Sequence, residues 1–144
     1  MISILKAILE ILYLFSILFL VKHYIGLFRN VVKLRRESKT SLGYKNKELE
    51  RAIRAHANFC ETVPISMLLS IILYFHNLLW IAFPSLLLLI IGRKIHAKAI
   101  SDINEDVKLR VKGMKLTIIS IKLSCLGIIF LVFKKAYFYL QSIS

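Results

Sequence analysis

A chain of 144 residues allows one domain. It is 58% hydrophobic with a mean hydropathy of +0.70, yet it carries 21 Lys and Arg against 8 Asp and Glu, a formal charge of +13. Its apolarity argues against an ordinary soluble domain or a disordered basic chain, and a nucleic-acid binder does not need long Leu/Ile/Phe runs; an integral membrane protein with its charge in the loops remains.

The first apolar stretch covers residues 2–28 and is cleanest at 11–21. Its charged start is thin (Lys6, Glu10) and no small-residue cleavage pattern follows Val21, so it reads as a retained helix and not as a signal peptide. Two shorter runs, 63–75 and 78–91, are too long together for one spanning helix. A tight turn at His76-Asn77 separates them, and each extends away from the turn into charged sequence. The last run, 116–133, is interrupted among ionisable residues only by Lys122. The expected fold is an all-α, single-domain integral membrane four-helix bundle, with helices at about 2–28, 48–75, 78–101 and 107–140. Gly43, near Ser41 and Asn46, marks the loop between the first two.

Seventeen of the 21 basic residues fall in two segments, Arg29–Arg54 and Arg93–Lys122, while the His76-Asn77 turn has no Lys or Arg. The positive-inside rule then predicts cytosolic basic loops, with termini and central turn outside. A multi-pass integral membrane protein is the expected setting. Cys60 and Cys125 have no metal-binding or disulfide-framework spacing and read as packing thiols. No pair of histidines has a metal-site spacing with a carboxylate, so no metal is expected. His23 and His76 read as interfacial residues near helix ends.

The most informative stretch is Glu48–Pro64, ELERAIRAHANFCETVP. On a helix, Arg51, Arg54, Asn58 and Glu61 are spaced by three, four and three and share one face; Glu50 lies at its edge, and His56 points roughly the opposite way. Charged groups entering an apolar run are costly unless paired or bound to something polar. Two readings follow: internal glue, with Arg54 and Glu61 each neutralised by another helix, or a site for a small zwitterionic or anionic ligand, in which guanidinium groups hold carboxylates. On helix four, Gly113, Thr117, Ser120, Ser124 and Gly127 recur at steps of three and four, a pattern that lets helices approach closely in lipid.

The pattern Glu50-Arg51-x-x-Arg54-Ala55-His56-x-Asn58-x-x-Glu61-x-x-Pro64 resembles the signature of the MAPEG family, membrane-associated proteins in eicosanoid and glutathione metabolism. Gly92-Arg93-x-x-His96-Ala97 and Arg110-x-x-Gly113-x-x-x-Thr117 are further matches, and the segment from Leu34-Arg35-Arg36 to Ser41-Leu42-Gly43 looks like the first cytosolic loop of its short bacterial branch. The resemblance implies a homotrimer of four-helix subunits that binds glutathione between neighbours near the cytosolic side. It implies a glutathione-dependent transferase or peroxidase acting on hydrophobic electrophiles or lipid hydroperoxides. Arg110 is then the thiolate-stabilising residue, with Arg36 beside it in the chemistry. Arg35, Arg51, Arg54, His56, Asn58, Glu61, Arg93 and His96 are the implied glutathione-holding set. The implied partners are glutathione as co-substrate, a lipid-like substrate and membrane lipids, with no nucleic acid.

Two positions depart from the family's synthases. A tyrosine commonly follows the helix-two Glu, where this chain has Thr62, and another lies seven residues after the helix-three Arg, where it has Ile100. The family also contains non-catalytic lipid-binding members, so the alternative reading is a membrane protein that binds a lipid or a partner protein.

Overall fold

The computed structural model describes residues 2–143 as four helices. They are α1 (Ile2–Glu37), α2 (Lys47–Phe75), α3 (Leu79–Ser101) and α4 (Val107–Gln141). All four are long and apolar enough to cross a membrane. At about 1.5 Å per residue, α3 matches a bilayer core with little to spare, whereas α1 and α4 overrun it by several turns. Leu, Ile, Phe and Val side chains dominate the outer surface of the bundle, as a surface facing lipid requires.

α1 continues nine residues past the expected end at Phe28. The reason is packing: Leu34 is buried against Leu49 and Ala52, with Val31 and Ile53 beside them, so the end of α1 and the start of α2 share a small apolar cluster. Leu34, Arg35 and Arg36 are therefore helical, not part of a loop. α1 stops where Lys39 enters the left-handed region (φ 49°). The amides of Lys39 and Thr40 return to the carbonyls of Arg36 and Arg35, which caps the helix.

The His76-Asn77 turn uses the same device. Asn77 takes φ 60°, and the amides of Asn77 and Leu78 bond back to Tyr74 and Leu73. Asn tolerates this conformation through its short polar side chain. The two other helix starts near the basic loops are capped by side chains. Asn46 accepts from the Leu49 amide at 2.8 Å, and Asp106 accepts from the Lys108 and Leu109 amides at 2.9 and 3.2 Å.

α3 and α4 make the closest approach in the bundle. A Cβ on Gly113 would sit 2.6 Å from the His96 nitrogen and 2.8 Å from the Gly92 carbonyl oxygen, so only glycine fits. The small-residue face of α4 is thus a packing face, as its spacing implied: Gly113, Thr117, Ser120, Ser124 and Gly127 are all buried. Ser120 Oγ donates to the Ser85 carbonyl at 2.6 Å across this seam. Deeper in the bundle, Tyr13 stacks on Tyr74, and its hydroxyl lies 3.2 Å from Ser70 Oγ. His23 is not near a helix end: it lies within α1, edge-on to Phe59.

Candidate functional site

The capped starts of α2 and α4 and the end of α3 lie at one end of the bundle, which also holds both basic segments. Between them is a cavity of about 330 Å³. It is lined by Lys47, Glu50, Arg51, Arg54 and Asn58 of α2, by Ile100 of α3, by Ile103 and Glu105 of the α3–α4 connection, and by Arg110 of α4. Four cationic side chains thus face two carboxylates in one recess. Opposite its polar wall, Ile100 and Ile103 supply apolar surface.

Most of the α2 stripe converges there with Arg110, which lies 52 residues or more further along the chain. Arg51 donates to the Ile100 carbonyl at 3.1 Å, tying α2 to the last turn of α3. Asn58 donates to the Arg54 carbonyl at 3.2 Å, a bond within the helix. Arg54 is exposed and is not neutralised by a carboxylate among the described residues. Within one subunit, then, no other helix neutralises Arg54 among the described residues. Glu61 is likewise exposed and pairs with no described cation of the subunit, and it does not line the cavity.

The remaining expected residues lie elsewhere. His56 packs among Tyr24 and Phe28 of α1, with its Nε2 3.7 Å from Cys60 Sγ. Its position on the far side of α2 agrees with the helical spacing. Arg35 turns back on its own loop, donating to the carbonyls of Thr40, Ser41 and Gly43 at 3.4, 2.9 and 3.2 Å. Within one subunit it fastens this loop and does not reach the cavity. Arg36 is exposed at the end of α1, in a surface trough with Phe28, Arg29 and Lys33.

Arg93 and His96 are buried in the α3–α4 seam, 2% and 3% exposed. Neither lines the cavity. Arg93 Nε donates to Thr117 Oγ1 at 2.9 Å, and its Nη1 donates to Thr62 Oγ1 at 3.2 Å and to the Asn58 carbonyl at 3.4 Å. It joins three helices by neutral acceptors. Thr62, in the place of a family tyrosine, is one of those acceptors and itself donates to the Asn58 carbonyl at 2.7 Å. Ile100, in the place of the other tyrosine, lines the cavity.

Sequence reasoning missed Glu105. Arg110 Nη1 donates to Glu105 Oε1 at 2.6 Å, and Arg51 Nη1 donates to Oε2 at 3.1 Å. The hydrogen bond from Arg110, helped by that from Arg51, outweighs burial and holds the Glu105 carboxyl below its ordinary value of 4.5. The signal was present: three of the chain's eight acidic residues, Asp102, Glu105 and Asp106, interrupt an otherwise basic segment. Asp106 serves as a helix cap and Asp102 accepts from the Asn104 amide, which leaves Glu105 as the one facing the arginines.

Chemically, the recess can hold a small anion or zwitterion. Guanidinium groups offer paired donors to carboxylates and remain charged when partly desolvated. A comparison with curated proteins found no match. A family model described as the MAPEG family matches residues 11–130 of the 144, which includes α2, α3 and most of α1 and α4. The four membrane-length helices, the α2 stripe and the match over most of the chain lead to one assignment: the chain belongs to the MAPEG family and is a multi-pass integral membrane protein.

Proposed function

We propose that the protein is a glutathione-dependent transferase or peroxidase of the membrane, acting on hydrophobic electrophiles or lipid hydroperoxides. The observation that carries this reading is the convergence of Arg51, Arg54 and Asn58 with Arg110 on one cavity at the basic end. In this reading the basic end faces the cytosol of a bacterial cell, and glutathione binds where subunits of a homotrimer meet. Arg36 and Glu61, both exposed, are then available to a neighbour's ligand, and His56 is half-buried on the other side of α2.

Arg51 and Arg54 hold the carboxylates of the tripeptide. Arg110 lies near its sulfur. A free thiol of this type has a pKa of about 8.5, so little thiolate exists at neutral pH. A guanidinium close to the sulfur, in a recess partly walled by Ile100 and Ile103, favours the thiolate. The thiolate attacks the electrophilic carbon of a substrate arriving from the bilayer; a carbon–sulfur bond forms and the leaving group departs with its electron pair. With a hydroperoxide, two glutathiones become a disulfide as the peroxide is reduced to an alcohol and water. No protein nucleophile takes part.

A second reading is favoured by Ile100, whose side chain lines the cavity without a hydroxyl to aim at the sulfur. In it the protein binds a lipid or a partner protein and does not catalyse. Conjugation of glutathione to a model aryl halide by the purified protein separates the two. Turnover that is lost with Arg110→Ala supports the enzyme. Glutathione binding by calorimetry without turnover supports the second reading. Undiminished affinity in Arg54→Ala removes the cavity from both.

A further inference from the structure

The best-placed guanidiniums of the cavity already hold an anion. Glu105 spans α2 and α4 with one oxygen on each arginine: Oε2 on Arg51 at 3.1 Å and Oε1 on Arg110 at 2.6 Å. The Glu105 side chain is only 15% exposed, whereas that of Arg110 is 45% exposed. The connection that presents it is pinned on both sides. Asp102 accepts from the Asn104 amide at 2.9 Å, and Asp106 caps α4. Those bonds fix the backbone and make no use of the Glu105 carboxylate, which is free to be exchanged while the loop stays in place.

The donors that clamp Glu105 are those a bound carboxylate or thiolate needs. Ligand anion and Glu105 therefore compete for the same two side chains. The cluster is open to solvent on its Arg110 side, whose side chain is 45% exposed, so water, salt and an incoming anion can reach that pair. The contrast with Arg93 is instructive: that guanidinium is buried among neutral acceptors and has no anion to release.

We propose that Glu105 is a built-in latch, its carboxylate occupying the Arg51–Arg110 clamp until an anionic group of the incoming ligand displaces it. The latch rests on the glutathione reading of the cavity. It keeps two arginines ordered and paired in the absence of ligand, and it selects for ligands that bring their own anion to this point. A neutral analogue has nothing to exchange with Glu105.

The test is glutathione binding by calorimetry to the full-length protein in detergent, for wild type, Glu105→Gln and Glu105→Asp. Removing the competing charge in Glu105→Gln is expected to tighten binding by about tenfold, the equivalent of one charge-assisted hydrogen bond no longer contested. Glu105→Asp, too short to reach both arginines, is expected to fall between, and it covers the case in which Glu105→Gln does not fold. Binding by Glu105→Gln where wild type shows none also supports the latch. Wild-type binding that is lost in Arg54→Ala yet unchanged or weakened in Glu105→Gln overturns the latch and leaves the glutathione reading standing. No binding by wild type or by either Glu105 variant overturns that reading, and the latch with it.

Discussion

Arg93 and Arg110 are both family-motif arginines on neighbouring helices, yet they live in different regions and do different work. Arg93 sits in the α3–α4 seam, where Gly92 and Gly113 bring two backbones into contact, and its donors all go to protein acceptors on α2 and α4. Arg110 sits beyond the seam, where α4 has left the close approach and a cavity opens between helix ends. Its described partner is one carboxylate from a loop. The difference teaches that an arginine's role in this fold is set by helix separation. Where the helices touch, the guanidinium is consumed by neutral protein acceptors; where they part, it lines a cavity and pairs with a loop carboxylate.

The comparison can be broken in four ways. The largest effect is expected from Arg110→Ala, which should lower the conjugation rate constant by about 100- to 1,000-fold, the usual loss when one charge-stabilising donor is removed from an active site. Its thermal midpoint should fall only by the small contribution of its pair with Glu105; a drop as large as that of Arg93→Ala would place Arg110 among the structural arginines. Next is Gly113→Val, whose side chain has no space against His96 and Gly92. It should destabilise the bundle by about 3 kcal/mol or more through overpacking, read as loss of monodisperse protein in detergent. A well-folded variant would show that the seam yields.

Arg93→Ala comes third. It removes the donor to the buried Thr117 hydroxyl and to the Thr62 hydroxyl, and should cost about 2 kcal/mol of stability by thermal unfolding. Glutathione affinity should be much less affected than in Arg54→Ala. A greater effect on binding than on melting would move Arg93 to the ligand side of the comparison.

The smallest effect concerns acid. A carboxyl whose folded-state pKa is lowered adds stability above its unfolded pKa, and that contribution is lost as pH falls through the folded value. The Glu105 bridge should therefore persist from neutral pH through 4.5 and disappear only below it. Wild type and Glu105→Gln should differ in midpoint near neutrality and converge in strong acid. A difference that grows on acidification would contradict the assignment of the bridge to an ionised Glu105.

The spans, the His76-Asn77 turn and the packing face of α4 were all legible in the chain, because each rests on a local rule. Apolar length marks a membrane helix, a polar pair between apolar runs marks a turn, and small residues at steps of three and four mark a close helix contact. The end of α1 was not legible. Charge density from Arg29 onward resembles a loop, but Leu34 finds Leu49 and Ala52 on a helix that only folding brings alongside. The roles of Arg35, Arg93 and Thr62 were illegible for the same reason, since a motif gives residue types and spacing but not acceptors.

By itself, the sequence determined that this is a four-helix membrane protein of the MAPEG family with a cationic stripe on α2, because hydropathy, helical period and motif spacing are properties of neighbouring residues. Tertiary structure decided which of those cations face a cavity and which are consumed by the bundle. It also brought Glu105, which no motif included, onto Arg51 from 54 positions away and onto Arg110 from five. The physical reason is that an ion pair depends on distance in space, and across this bundle that distance is set by where glycines let helices meet and where the connecting loop must return.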